Sequence, residues 1–88
     1  MPLIKFYANL RTITGKKEIT LLGSTLQQVL GTLIREYPGL QRFLLEDGQL
    51  RAHVIIAVNG QIMDKESCLQ VPVSEQDRIA IFPPMAGG

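Results

Sequence analysis

One long helical stripe, and only one, runs through this sequence: Leu26, Val29, Leu30, Leu33, Ile34 and Tyr37 recur at the spacing of a single helix face. A lone amphipathic helix must bury that stripe against something else, and the rest of the chain offers only short alternating runs, so its partner has to be a sheet. Ser24 is placed to cap the helix, with Gln27 three residues on to close a capping box, and Pro38-Gly39 to end it. Gly31 inside the helix costs about 1 kcal/mol relative to alanine, and close packing against a neighbour is the expected compensation.

The flanking runs supply the sheet. Residues 3–8 alternate, with Ile4, Phe6 and Ala8 on one face and Leu3, Lys5 and Tyr7 on the other. After the break at Thr14-Gly15-Lys16 the alternation resumes over 18–22 with Ile19 and Leu21, which predicts an antiparallel hairpin. Residues 40–45 read as a short helical turn before the loop signal Glu46-Asp47-Gly48. Residues 53–58 are apolar on both faces, as in a strand covered on both sides or nearly so. Asn59-Gly60 then favours a type I′ turn, with 61–63 returning as a short strand. Residues 78–82 form a last strand, Ile79 and Ile81 facing opposite to Ala80 and Phe82.

This order predicts an α+β chain: one main helix on one face of a mixed sheet of about five strands. With the last strand parallel to the first, reached by the right-handed helical crossover, it is a β-grasp, ubiquitin-like fold. A chain of 88 residues buries only about 60–65% of its unfolded surface and supports one core. Residues 1–82 are therefore one domain, and 83–88 an extended C-terminal tail.

Nine Lys and Arg against eight Asp and Glu, all scattered, give no field able to hold nucleic acid or an anionic membrane. The longest apolar run, Val54-Ile55-Ile56-Ala57-Val58, is far below the roughly 20 residues a membrane span needs. The opening Met1-Pro2-Leu3-Ile4-Lys5-Phe6 has no secretory pattern, and the single cysteine, Cys68, fits a reducing compartment. A cytoplasmic protein is expected. There is no carboxylate pair, Ser-His-Asp arrangement, phosphate loop or metal-ligand spacing, so neither a resident cofactor nor an independent active site is expected.

The ending Phe82-Pro83-Pro84-Met85-Ala86-Gly87-Gly88 has more to say. Pro83 and Pro84 hold φ near −65° and push the residues before them toward extended geometry, so the tail leaves the sheet as a stiff rod. Six residues at roughly 3.1–3.5 Å each reach about 20 Å, enough to enter a pocket in another protein. Gly87 and Gly88 let a partner's channel close on bare backbone. The Gly88 carboxylate is ionised and a poor electrophile until activated. Adenylation by ATP makes it a mixed anhydride, and displacement of AMP by a sulfur donor leaves a thiocarboxylate, a nucleophile on a movable arm.

Together with Leu10-Arg11-Thr12-Ile13-Thr14-Gly15, Leu45-Glu46-Asp47-Gly48 and Ala57-Val58-Asn59, the double-proline, double-glycine ending resembles the small subunit of molybdopterin synthase, within the ubiquitin-like sulfur carriers (MoaD/ThiS). The resemblance runs along nearly the whole chain. It implies that an E1-like (MoeB-like) adenylating enzyme consumes ATP to activate Gly88, and that Pro83, Pro84, Met85, Ala86 and Gly87 thread the molybdopterin synthase large subunit (MoaE-like) in a hetero-oligomer. There sulfur passes to cyclic pyranopterin monophosphate, the catalytic side chains being the partner's. Where many members carry a glycine-containing turn before the last strand, this chain has Ser74-Glu75-Gln76-Asp77-Arg78. Relatives serving cysteine, thiamin or tRNA thiolation, and others that modify proteins, share the fold and the ending. A non-covalent β-grasp interaction module is the third reading.

Arg11 reads as a solvated loop residue or as a partner contact at the tail's exit. Alternation leaves Phe82 open to core or interface. His53 is expected at a strand edge without a catalytic role, and Cys68 as a half-buried small hydrophobe or a persulfide relay.

Overall fold

The computed structural model describes residues 1–83. In β1 (Leu3–Phe6) the alternation places Ile4 and Phe6 inside, both fully buried. The strand stops two residues before its pattern does. Ala8, at φ 54 and ψ −135, adopts backbone geometry normally left to glycine, and the chain turns into α1 (Asn9–Thr14), which buries Leu10 and Thr14. Gly15 ends that helix at φ 73, its N–H donating to the Arg11 carbonyl at 2.8 Å. β2 (Glu18–Thr20) does pair antiparallel with β1, Ile4 opposite Ile19. Their connection contains a helix that the residues did not announce, because fewer than two turns carry too few positions to show a stripe.

α2 (Leu26–Glu36) buries Leu26, Val29, Leu30 and Leu33, with Ile34 and Tyr37 half-buried at its margin. Its cap sits one residue later than predicted: Thr25, extended at φ −135 and ψ 161, accepts the Gln28 N–H at 3.2 Å. Gln28 Oε1 in turn accepts from both the N–H and the Oγ of Ser24 at 2.9 Å. The shift has a tertiary cause, since Ser24 and Thr25 are held against residues 71–73: Val73 N–H donates to Ser24 O, and Thr25, extended, bridges Pro72.

The neighbour expected at Gly31 is not there; a Cβ at that position would meet nothing within 4 Å. The glycine therefore carries its helix penalty without a packing return. Gly31→Ala is expected to stabilise the protein by about 0.5–1 kcal/mol, raising the thermal midpoint by about 2–8 °C. A melt that fails to move upward contradicts this.

A 3₁₀ turn (Pro38–Leu40) leads to α3 (Gln41–Leu44), the predicted helical turn. The loop signal that comes next is the turn of a small two-stranded sheet, β3 (Leu45–Glu46) and β4 (Gln49–Leu50), with Asp47 at φ 54 and Gly48 at φ 78. β5 (Ile55–Val58) is covered on both faces except at Ile55, 44% exposed. Asn59 (φ 52) and Gly60 (φ 83) make the expected turn into β6 (Gln61–Ile62), and a second 3₁₀ turn (Cys68–Gln70) precedes β7 (Arg78–Phe82).

The main sheet runs β2-β1-β7-β5-β6, with β1 and β7 parallel at its centre. Ile4, Phe6, Ile56, Val58, Ile79 and Ile81 meet the buried stripe of α2 on one side of it. This is the mixed five-stranded β-grasp sheet that the order of elements predicted. Among the described residues no helix is long and apolar enough to cross a membrane.

Candidate functional site

β7 delivers the chain to Phe82, and Pro83 beyond it is buried, so the body grips one residue that sequence assigns to the tail. Pro84, Met85, Ala86, Gly87 and Gly88 lie outside the described residues. What the structure gives is the platform from which they depart.

That platform is the sheet face opposite α2. Strand alternation sends Lys5 and Tyr7, Arg78, Ala80 and Phe82, and Ile55 and Ala57 to this side, where many of them line a broad hollow of about 680 Å³. Large apolar side chains are exposed here: Phe82, 37% exposed, and Ile62, 68%, line the hollow, and Ile55, 44%, pairs with Phe82 on the neighbouring strand. Lys5, Arg78 and Arg11 put cationic groups around it, and the register sets Glu18 beside Lys5. An apolar centre with a charged margin suits docking to another protein.

Phe82 is thus at the surface and not in the core. Its ring stacks on Tyr7, centroids 4.5 Å apart and planes 17° from parallel. Arg11 stands on α1 and not in a loop: its Nε donates to the Phe6 carbonyl at 2.8 Å and its guanidinium lies 5.4 Å from the Tyr7 ring centre. The two candidates chosen from sequence are therefore brought together, and the residue joining them is Tyr7, which sequence left as an ordinary strand position. The parallel register would have exposed it: Phe6 pairs with Ile81, so one step further Tyr7 faces Phe82.

His53 is exposed in the turn before β5 and not on a strand. Cys68 is 1% exposed, fully and not half buried, and burial pushes its thiol pKa up despite the opposing charge of Lys65. A protonated, enclosed thiol is a poor sulfur relay.

The glycine-free loop before β7 closes by side-chain chemistry. Asp77 accepts the Ser74 N–H at 2.7 Å and the Asn59 Nδ2–H at 2.9 Å, while Asn59 Oδ1 accepts the Arg78 N–H at 2.9 Å. This clasp ties the β5–β6 turn to the base of β7. The hydrogen bond from Asn59, then that from Ser74, holds the Asp77 carboxyl below the usual aspartate range. A depressed folded pKa means that the clasp's stabilisation is complete above the unfolded carboxyl pKa and is lost as pH falls through the folded one. Asp77→Asn is accordingly expected to flatten the acid limb of stability against pH without altering its shape above neutrality. Identical limbs for both proteins in acid titrations of unfolding contradict this.

Known proteins share this architecture. The chain is 33% identical over 88 residues to small archaeal modifier protein 3 of Haloferax volcanii, covering 97% of this chain and 96% of that protein. It is 30% identical over 88 residues to the molybdopterin synthase sulfur carrier subunit of Arabidopsis thaliana, covering 97% of this chain and 80% of that one. The solution structure of small archaeal modifier protein 1 from Methanosarcina acetivorans matches with a TM-score of 0.87 at 31% identity, covering 99% of this chain and 95% of that one. The ThiS family itself matches over residues 4–88, from the first core strand through the glycine pair, and the chain belongs to that family as a ubiquitin-like sulfur carrier.

Proposed function

We propose that this chain carries sulfur on Gly88 as the small subunit of molybdopterin synthase. The observation that carries the reading is the family match continuing through Gly88, on a body whose last strand ends beside an open apolar face with a cationic margin. The Gly88 carboxylate attacks the α-phosphorus of ATP on an adenylating partner and pyrophosphate leaves. Hydrosulfide then attacks the acyl carbon, AMP leaves with the bonding pair, and loss of the S–H proton leaves a thiocarboxylate. Resemblance to the plant sulfur carrier subunit supports delivery to cyclic pyranopterin monophosphate inside a large subunit, whose side chains would do the catalysis. In this reading the open face docks on the partner while 83–88 extend into it.

The test is intact mass after incubation with an adenylating enzyme, ATP and a sulfide source, followed by addition of a molybdopterin synthase large subunit and the pterin precursor. The expected result is a gain equal to replacing one oxygen by sulfur, reversed on transfer. No gain overturns the carrier reading, and a gain that is never discharged overturns the pathway.

The likeness to small archaeal modifier protein 3 favours a second reading, in which the activated end is joined to protein amines. Recovery of this chain amide-linked to lysine side chains would place it there.

A further inference from the structure

We infer that Tyr7 is a positioning residue for the end of the chain: held by Arg11, its ring fixes Phe82 and so sets the direction in which the backbone leaves β7. The inference rests on the reading that Gly88 is the reacting group, and it concerns how the body aims that group.

Three observations converge on Tyr7. The register of β1 against β7 advances in step from Leu3 with Arg78 to Phe6 with Ile81, so Tyr7 and Phe82 fall side by side where both strands stop. Their rings are stacked at 4.5 Å and 17°. Arg11, tethered by its Nε to the Phe6 carbonyl at 2.8 Å, has its guanidinium over the Tyr7 ring, 5.4 Å from its centre. The cation, the first ring and the second ring make a chain of contacts from α1 to the last residue of β7.

The backbone is bent to make this possible. For Arg11 to come back over Tyr7, α1 has to begin at once after β1, and the turn is made at Ala8 in a conformation, φ 54 and ψ −135, that alanine rarely adopts. Strained backbone beside a stack that includes the exit residue is what a positioning device requires.

The stack matters because the tail departs from it. Phe82 is 37% exposed and, lacking its partner, would sample other rotamers; a stacked pair favours the paired arrangement by up to roughly tenfold. Pro83 then transmits the geometry, because its ring fixes its own φ and restricts the backbone of Phe82 before it. Antiparallel pairing of Phe82 with Ile55 holds the opposite edge. The competing account is that Tyr7 only adds apolar area to the docking face, and the two accounts separate by side-chain shape.

The experiment compares Tyr7→Phe and Tyr7→Leu in the full chain. Leucine keeps apolar bulk but neither stacks on Phe82 nor receives the guanidinium, whereas phenylalanine does both. With an E1-like adenylating enzyme, ATP and labelled pyrophosphate, exchange at Gly88 is expected to stay within about twofold of wild type for Tyr7→Phe, while Tyr7→Leu loses roughly tenfold in kcat with KM changed less than about threefold. A Tyr7→Leu protein with raised KM and unchanged kcat, or the two variants behaving alike, overturns the inference. A second measurement needs no partner: the ring-current shift of the Pro83 Hδ protons, recorded by NMR on the free proteins, is expected to persist in Tyr7→Phe and to shift in Tyr7→Leu. If wild type shows no exchange at all, the carrier reading fails. The Pro83 shift still decides whether Tyr7 governs the exit, and an unchanged shift in folded Tyr7→Leu sinks the idea.

Discussion

Deleting Gly88, or adding one residue after it, is expected to abolish sulfur loading and transfer while leaving the thermal midpoint within about 1 °C of wild type, well inside the shift that 1 kcal/mol would cause. On the proposed function the loss is complete, because the chemistry then belongs to a single terminal carboxyl group. Without Gly88 the acid sits on Gly87, one residue earlier in the sequence, and an extended residue spans about 3.1–3.5 Å. With an extra residue, the acid overshoots and the former terminus becomes an amide, which cannot be adenylated. A misplacement of this size is far larger than the roughly 1 Å that costs about 100-fold in a positioned reaction. Neither change touches the buried set, which is completed by Ile79 and Ile81 of β7. Intact mass reads the loading and a melt reads the fold. Loading of either variant at the wild-type level contradicts the proposed site.

Phe6→Ala is expected to have the largest effect on the fold, about 3–5 kcal/mol lost through removed burial and the cavity left behind. Phe6 has no exposure and is among the largest fully buried side chains. A chain of this length has roughly 4–13 kcal/mol of total stability, so the substitution takes a large share and leaves a measurable unfolded population near physiological temperature. Function should fall with it in step with the folded population. Ile62→Ala is the control: at 68% exposure it is expected to alter stability by less than about 0.5 kcal/mol. Chemical denaturation of both variants checks the contrast, and a Phe6→Ala loss below about 1.5 kcal/mol contradicts it.

Long periodic segments and chemically obligatory turns were readable from the residues alone. The stripe of α2 and the Asn59-Gly60 turn each follow from one local rule, periodicity in the first and positive φ in the second. The features that escaped were short or tertiary. α1 is six residues long and declares itself only by the αL cap at Gly15, and the helix cap moved to Thr25 because residues 71–73 pair with Ser24 and Thr25. Gly31 misled for the reverse reason: a glycine in a helix invites a packing explanation, and the space around it is empty. The site divides in the same way. Gly88 could be singled out from the composition of the ending, Phe82 from strand alternation and Arg11 as a cation expected near the tail's exit, but Tyr7 needed the register between two strands that lie 75 positions apart, as Leu3 does from Arg78.

That parallel pairing also bears on how the protein is made. The two middle strands of the sheet are the first and the last of its five to emerge from the ribosome, so a nascent chain lacking β7 holds β1 and β5 with open edges and no settled interior. Exposed hydrophobic surface and open strand edges make such a fragment prone to aggregate. Translation must pass through β7 before the molecule closes, so folding checks that the polypeptide has reached Phe82 and is blind to the residues after it.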